Sequence, residues 1–400
     1  MKRILALLSI TFLTWGLKAQ PIGNTDKPEG RIPGGSTLAF LNITPDARAA
    51  ALGDAGVAQT PDANATFWNA SKLAFIEDDG GASLSVSPWL GDLTDDMFIA
   101  YATGFKKLEK GQTIAASLQY MNNGEIDLRD NGGNPLGNFN SRELALAGTY
   151  SRQLSSKLAL GLTLKWIYSN LAGNNVGTGI SIKPANTAAG DISLYYNDGF
   201  KDETTGKEFT YGLGLNFSNF GGKINYGGDD SYFIPTMLRL GGRVTISGNG
   251  IHKFNILADA SKYMVPTPPF MESYIDGSGS TRTRVVQGRD MRNLSLMKGV
   301  FGSFSDAPDG GSEELAEIAL GGGVEYWYHN IFAARVGYFG QSQKKMGHSN
   351  VTFGLGAKFK KKFNVDFAYM VPLRQGSPLA QTWRLSLGIA LQKATDVIEE

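Results

Sequence analysis

The sequence contains no cysteine and only three histidines. Without cysteine the protein has no disulfide framework, no thiol chemistry and no lipid-modified cysteine anchor. The histidines are His252, His329 and His348, and we predict all three at strand ends or in turns. A metal site built from histidine needs ligands on one face together with carboxylates, and the sequence offers no such spacing. We therefore expect neither a metal nor any other cofactor.

An excess of positive charge is also missing, because 38 Lys and Arg residues face 37 Asp and Glu residues. A surface that binds phosphates needs a marked excess of cations, so we expect no nucleic-acid partner. The nearest match to a nucleophile elbow is Gly347–Val351, which lacks the second glycine and is followed by no predicted helix. We therefore predict no catalytic residue and no enzymatic activity.

The sequence is short of long hydrophobic runs. Lys2 and Arg3 precede an apolar stretch from Ile4 to Trp15, and Leu17–Ala19 follows it. This order of charge, apolar core and small residue is typical of a secretory signal peptide, which we assign to residues 1–19. No stretch of about 18 uninterrupted apolar residues follows, so the sequence predicts no membrane-spanning helix.

What the sequence has instead is alternation. Apolar residues occupy every second position in several segments, and small or polar residues lie between them, as in Leu158–Tyr168 and Trp383–Leu391. Alternation with a period of two places successive side chains on opposite faces of a strand. The same pattern fits a soluble sandwich and a membrane barrel.

Three features favour the membrane barrel. Several segments approach ten residues, which matches a tilted bilayer crossing. The inner positions carry glycine, small polar residues and charge, as at Arg239, Gly241 and Arg243, and these residues suit a polar lumen. Aromatic residues, among them Trp166 and Trp327, lie at segment ends, where interfacial girdles belong.

The alternating segments number about 14, and short and long connections alternate between them. We predict strands near 82–88, 96–105, 111–121, 142–151, 157–169, 190–197, 208–217, 235–247, 252–263, 317–327, 331–341, 348–359, 363–371 and 382–392. Short turns face the periplasm in such barrels and long loops face outward. The predicted fold is an all-β membrane protein of the cell outer membrane. It is a closed antiparallel transmembrane β-barrel over residues 82–392, with a periplasmic C-terminal tail over residues 393–400.

Charged residues at the inner positions allow two interpretations. They can line a pore, or they can neutralise one another in a plugged lumen, and we favour the second. These residues are Lys165, Arg239, Arg243, Asp259, Glu325, Arg335, Lys358, Asp366 and Arg384.

Residues 20–81 lack strand alternation and are rich in alanine punctuated by glycine, especially over Asp46–Ala58 and Asp62–Ala74. Such a segment suits a short helix and compact turns in a confined space, and we predict an N-terminal periplasmic hatch, or plug. The pattern resembles the hatch of FadL-type barrels, in which an R-A-x-x-x-G-x-A-G-V-A run precedes a D-A-x-A-x-x-x-N-P-A run. The sequence departs from that pattern at Ala70–Ser71, where FadL-type proteins usually have Pro-Ala. The hatch residues that we single out are Arg48, Gly53, Gly56, Trp68 and Asn69.

Within that superfamily, Gly35–Leu41 and Asn42–Asp46 resemble the PorV (LptO) family of the type IX secretion system. The resemblance implies a non-enzymatic shuttle. Such a protein binds the C-terminal signal domain of secreted cargo and passes it from the translocon barrel to the sortase attachment complex on the cell surface. The FadL-type resemblance implies an alternative, a channel for hydrophobic small molecules with an apolar pocket and a lateral opening. A lipopolysaccharide-modifying hydrolase would need a triad that the sequence does not offer.

The longest connection, Met264–Ala316, is the candidate surface for binding partners. Aromatic, methionine and arginine residues are enriched at protein interfaces. The candidates in this loop are Phe270, Met271, Tyr274, Arg282, Arg284 and Arg289. A solvated loop that faces outer-membrane lipid and lipopolysaccharide is the alternative.

Overall fold

The computed structural model describes the chain from residue 37 to residue 391. It leaves out residues 92–93, 110, 130–131, 173–181, 249, 278–279, 292–293, 343–344, 346, 361, 375–376, 378 and 380–381. The predicted signal peptide and the predicted C-terminal tail therefore lie outside the described residues, as does the beginning of the predicted hatch.

The described chain contains sixteen strands. They are β1 (Gly80–Pro88), β2 (Phe98–Lys107), β3 (Gln112–Arg129), β4 (Pro135–Gln153), β5 (Leu158–Asn170), β6 (Ala185–Lys201), β7 (Glu208–Gly221), β8 (Met237–Gly248), β9 (His252–Tyr263), β10 (Phe270–Ile275), β11 (Thr281–Gln287), β12 (Ala319–Tyr328), β13 (Phe332–Gly340), β14 (Ser349–Phe359), β15 (Phe363–Pro372) and β16 (Trp383–Leu391). Strands β10 and β11 form a separate hairpin, and the other fourteen form one closed antiparallel barrel. Strand β1 closes the ring because it pairs with both β2 and β16. The prediction of a closed barrel of about 14 strands is confirmed.

One predicted loop is largely strand. The hydrogen-bonded ladder between β3 and β4 continues from Glu125 paired with Asn140 to Arg129 paired with Pro135, so the two strands form a projecting hairpin. The extension was missed although Ile126 and Leu128 alternate with Glu125 and Asp127, because only two apolar residues recur there. Alternation identifies a strand only where it continues over about four to eight residues.

Side-chain direction follows the predicted parity in β5. Leu162 and Leu164 point outward and are 46% and 77% exposed, whereas Thr163 between them is 2% exposed.

The position of Trp327 differs from the prediction, because its side chain is buried inside the barrel and does not lie in an interfacial girdle. The guanidinium of Arg335 lies 5.4 Å from the centre of the Trp327 ring. Adjacent residues on a strand face opposite sides, so Trp327 and the exposed Tyr328 cannot both belong to the girdle.

The outward face of β5 permits a direct test of this parity. Leu162→Arg is expected to lower the free energy of unfolding by about 2–4 kcal/mol, because it places a cation in the hydrocarbon layer. The measurement is the urea midpoint of the barrel refolded in lipid. Lys165→Arg is the control, since Lys165 lies on the lumen side and pairs with Asp191 at 2.8 Å. Equal losses of unfolding free energy in both variants would show that the lipid and lumen faces of β5 are wrongly assigned.

Residues 37–79 lie inside the barrel, and we call them the plug. The plug contains the short helices α1 (Ala47–Ala50) and α2 (Ala65–Trp68), together with 3-10 helices at Ala39–Asn42 and Ala70–Phe75. Most of its alanines are buried, including Ala47, Ala49 and Ala51 at 0% exposure. Small side chains allow the plug backbone to approach the wall closely. None of the helices in the described part of the chain is long and apolar enough to cross a membrane.

The longest connection is folded rather than irregular. Between β9 and β12 the chain forms the β10–β11 hairpin and then the helices α3 (Leu296–Gly302) and α4 (Gly311–Ala316). We call residues 264–318 the outer module, because they lie at the end of the barrel opposite to short turns such as 329–331. The sequence predicted only a loop here, since each of these elements is too short to show a clear hydrophobic period.

Candidate functional site

The plug is joined to the wall by a buried ionic network. Arg48 in α1 binds Glu325 of β12 through two hydrogen bonds of 2.8 and 2.9 Å. Glu325 also accepts a hydrogen bond from Arg335 at 2.7 Å, and Arg335 forms an ion pair with Asp366 at 2.7 Å. A third carboxylate, that of Asp62 in the plug, lies 2.9 Å from Arg48. Glu325, Arg335 and Asp366 thus pair with charges of opposite sign, as expected for a plugged lumen. Arg243 and Arg384 differ from that expectation, because they donate to the neutral carbonyl oxygens of Ala58 and Thr44.

Hydrogen bonds fasten the plug on every side of the barrel. The plug bonds to residues of β2, β3, β4, β6, β8, β9, β12, β14 and β16. Examples at opposite positions are Val57 N to Asp259 at 2.8 Å and Ala47 N to Ser386 at 2.9 Å. Because these bonds reach nine strands of the wall, they hold the plug rigidly inside the barrel.

Glycines of the wall make room for the plug backbone. A Cβ atom added to any of seven wall glycines would overlap atoms of the plug. These glycines are Gly161, Gly214, Gly241, Gly321, Gly323, Gly337 and Gly354. Gly53 in the plug adopts φ +65°, and its backbone packs directly on Tyr338 of β13. The sequence does not show that these glycines contact the plug, because neither alternation nor spacing shows which wall residues face it.

The remaining plug residues singled out from the sequence support its own turns. Asp46 caps α1 by accepting from Ala49 N at 2.9 Å, and it also accepts from the indole of Trp68 at 2.7 Å. Burial, reinforced by the charge of Asp62, raises the pKa of Asp46 to about 6. The side-chain amide of Asn69 donates to Val57 O at 3.1 Å and to Leu194 O of β6 at 3.0 Å.

A buried lysine completes the plug. Lys72 Nζ donates to the carbonyl oxygen of Gly56 at 2.5 Å, and burial lowers the pKa of Lys72 to about 8. Gly56 itself packs against the ring of Trp68, where a Cβ atom would have no room. Arg48, Gly53, Gly56, Trp68 and Asn69 therefore all take part in contacts that hold the plug in its conformation or against the wall.

The six predicted partner-binding residues all lie in the outer module, and the structure groups three of them on one face of the hairpin. Tyr274 is paired with Arg282 across the hairpin, and Arg284 lies 5.5 Å from the centre of the Tyr274 ring. Met271 lies on the opposite face beside Val285. Phe270 and Arg289 are at the base of the hairpin, away from this group.

The outer module also exposes apolar residues that the sequence analysis missed. Ile275 is 74% exposed and Val286 is 61% exposed in the hairpin. Met297 and Phe301 on α3, and Phe304 after it, are all more than half exposed. The four-residue spacing of Met297 and Phe301 was a signal that could have revealed them, because residues four apart share one helix face. Exposed apolar groups gathered in one module mark an interaction surface.

A buried ionic cluster fixes the outer module to the mouth of the barrel. Lys345, from the connection between β13 and β14, binds Glu313 and Glu317 near α4 at 2.5 and 2.8 Å. Lys262 at the end of β9 binds Glu317 and also binds Glu314 at 3.0 Å. The cluster ties three separate parts of the chain together, so the module has a fixed orientation on the barrel.

His252 and His329 both lie beside the ring of Tyr328, and His348 lies elsewhere. His252 shares a hydrogen bond of 2.8 Å with Tyr326, His329 lies in a turn with φ +52°, and His348 packs on the ring of Phe339. In the described part of the chain, no group of three or more His, Cys, Asp or Glu residues is arranged to hold a metal ion.

The resemblance to the PorV family implies secretion of cargo. The combined variant His252→Gln, His329→Asn and His348→Gln is expected to retain this function at the wild-type level. Cargo is quantified at the cell surface, and a loss in a variant of normal abundance would reopen an enzymatic role.

The fold is a closed antiparallel barrel of fourteen strands with an N-terminal plug. Three solved structures of outer-membrane channels and transporters are similar to this chain. The CymD monoaromatic hydrocarbon channel is 12% identical with a TM-score of 0.50 and covers 88% of this chain and 98% of its own. The P. putida toluene transporter TodX is 12% identical with a TM-score of 0.48 and covers 86% and 98%. A Pseudomonas aeruginosa FadL homologue is 11% identical with a TM-score of 0.42 and covers 91% and 100%. At these identities the likeness concerns the fold alone.

The family model described as "Type IX secretion system protein PorV" matches residues 30–270, more than half of the chain. The chain therefore belongs to the PorV family of outer-membrane barrels of the type IX secretion system. No protein with a curated description matches the sequence.

Proposed function

We propose that this protein is a non-enzymatic shuttle that works at the outer surface of the barrel. It binds the C-terminal signal domain of secreted cargo, receives the cargo from the translocon barrel and passes it to the sortase attachment complex. The observation that carries the proposal is the contrast between the lumen of the barrel and the outer module. The lumen is occupied by a plug bonded to the wall on all sides, whereas the outer module exposes apolar and arginine side chains.

The outer module has the properties of a binding surface. Large apolar and arginine residues concentrate binding energy at interfaces, and Met297, Phe301 and Arg284 are of these types. The ionic cluster around Lys345 and Glu317 holds the module in one orientation, so that less conformational freedom is lost when a partner binds. A rigid barrel that carries a binding module is a common arrangement for positioning functional loops.

The channel alternative has less support. A channel for hydrophobic molecules needs an apolar passage, but the lumen carries ion pairs such as Lys165–Asp191 and Arg335–Asp366. A groove of about 750 Å³ does exist near β1, β2, β3 and β16. Its large side chains, including Leu84, Leu118 and Leu387, are outward-facing and exposed, so the groove opens to lipid.

The proposal is tested by isolating the protein from detergent-solubilised outer membrane through an affinity tag on an outer turn, followed by mass spectrometry. The translocon barrel, cargo with its C-terminal signal domain and subunits of the attachment complex are expected to co-purify. An equally abundant outer-membrane barrel with the same tag is the control. Recovery of none of these partners, together with uptake of hydrophobic solutes by liposomes that contain the protein, would favour the channel instead.

A further inference from the structure

The hairpin β10–β11 is a sheet with two open edges. Among the described residues, the backbones of 271–275 and 282–286 form no hydrogen bond outside the hairpin itself. A two-stranded sheet is marginally stable in water, and a third strand is normally needed for independent stability. An unpaired strand edge is also a template for a strand from another chain.

The two strands carry only part of the usual protection of an exposed edge. Neither β10 nor β11 contains proline, which natural proteins place on edges to block pairing. Strand β11 has a bulge at Val286 and the charged side chains of Arg282 and Arg284, so its regular open edge is Thr281–Val285. The projecting hairpin of β3 and β4 does contain proline, because β4 begins at Pro135. The outer module therefore presents a short strand edge without proline.

From this geometry we propose that β11 accepts an extended segment of the cargo as a third strand of the hairpin; the inference rests on the shuttle function proposed above. Strand β11 has the stronger tendency to form a sheet, because Thr281, Thr283, Val285 and Val286 are β-branched. Main-chain hydrogen bonds supply the affinity in this mode of recognition, and alternate side chains supply the specificity.

The side chains of β11 define the chemistry of the segment that fits. Arg282 and Arg284 lie on one face, and their side chains are 66% and 64% exposed. On the other face are Thr283 and Val285. Opposite charges in neighbouring strands attract each other, so the segment carries acidic residues beside the two arginines. Between them it carries apolar or β-branched residues that pack beside Val285.

Charge also separates β11 from the opposite edge. Glu272 lies on β10, paired with Arg284, and Asp276 at the end of β10 binds Arg282. An acidic segment beside β10 would meet these carboxylates first, whereas beside β11 it meets the arginines. The C-terminal end of β11 also lies against Pro308, through a hydrogen bond from Gln287 at 2.6 Å.

Disulfide mapping tests the pairing directly. The chain has no cysteine, so each introduced cysteine is unique. Thr281→Cys, Thr283→Cys and Val285→Cys are made on β11, and Ser273→Cys on β10 is the matched control. Each full-length variant is oxidised in complex with the C-terminal signal domain of a cargo protein, in which single cysteines are moved along the strands. The three β11 cysteines are expected to join cargo positions that move by two residues at each step, which is the signature of a paired strand, and Ser273→Cys is expected to join none.

The outcomes separate the inference from the function on which it rests. Cargo that co-purifies but cross-links at β10, or without a two-residue step, would overturn the strand pairing and leave the shuttle function standing. A disulfide between two copies of the Thr283→Cys chain would show self-pairing and would also overturn it. Failure of the wild-type protein to capture the cargo domain at all would instead refute the shuttle function.

Charge reversal gives a second, independent measurement. Arg282→Glu combined with Arg284→Glu is expected to weaken binding of the cargo domain about tenfold, because two attractive cross-strand pairs become repulsive. Replacing the facing acidic residues of the cargo with lysine is expected to restore binding. Lys298→Glu, an exposed charge on α3 in the same module, is the control. An equal loss in this control, or no rescue by the lysine cargo, would contradict the pairing.

Discussion

Cells whose protein lacks residues 270–287, with Pro269 joined directly to Gly288, are expected to lose surface attachment of cargo almost completely. The deletion removes the β10–β11 hairpin and with it the open edge and the arginine face. The barrel is expected to fold and insert normally, because the hairpin forms no part of the closed ring. Pro269 and Gly288 already pack against each other at the base of the hairpin, so the new junction needs little rearrangement.

The measurement is the amount of cargo at the cell surface, in the periplasm and on the translocon, at equal abundance of the barrel. Cargo is expected to accumulate in the latter two places. The matched control deletes the projecting tip of β3–β4, from Glu125 to Asn140, and replaces it with an Asn-Gly turn that suits a two-residue hairpin. Normal attachment without β10–β11, together with a block in the control, would move the cargo site to the tip.

Glu325→Gln is expected to lower the free energy of unfolding by about 3–5 kcal/mol, the usual cost of removing one partner from a buried ion pair. Glu325 is fully buried and lies between Arg48 of the plug and Arg335 of the wall. Without its charge, the two guanidinium groups face each other with less compensation. The amide can still accept a hydrogen bond, so the loss reports charge rather than shape.

The measurement is the urea midpoint of the refolded barrel. Unfolding is detected by the change in the electrophoretic mobility of the barrel. Glu272→Gln provides the matched comparison, because Glu272 pairs with Arg284 on the exposed hairpin at 2.8 Å. Exposed pairs contribute little, about 0–1 kcal/mol. A similar small loss in both variants would show that the plug is not held by the ionic network.

Local pattern was sufficient for much of the fold. In β16, for example, the alternation of Leu385 and Leu387 with Ser386 marks the lipid and lumen faces without any knowledge of neighbours. The polar character of the inner positions then indicated a membrane barrel rather than a sandwich, because a soluble core does not accept Arg239 and Arg243. The hatch was recognisable because an alanine-rich segment with regular glycines is a compact structure of small side chains.

Local pattern was not sufficient for the outer module. Strands of six and seven residues and helices of similar length contain too few repeats to show a period. Their fold depends on contacts such as those of Lys345 with Glu313 and Glu317, which come from different connections. For the same reason the sequence did not show that Phe270 and Arg289 lie at the base of the hairpin, apart from Tyr274, Arg282 and Arg284.

By itself, the sequence determined the strand-forming segments of the barrel, the polar lumen and the resemblance of the plug to the hatch of FadL-type barrels. Each of these depends on residues close together in the chain. Only the tertiary structure decided which residues meet across the barrel. Arg48 and Glu325 are 277 positions apart, and Gly53 packs on Tyr338 through a contact that no local period records. The alignment of Glu325 with Arg335 across β12 and β13 was likewise a matter of register. Register is set by pairing between strands, so it becomes visible only when the ring is closed.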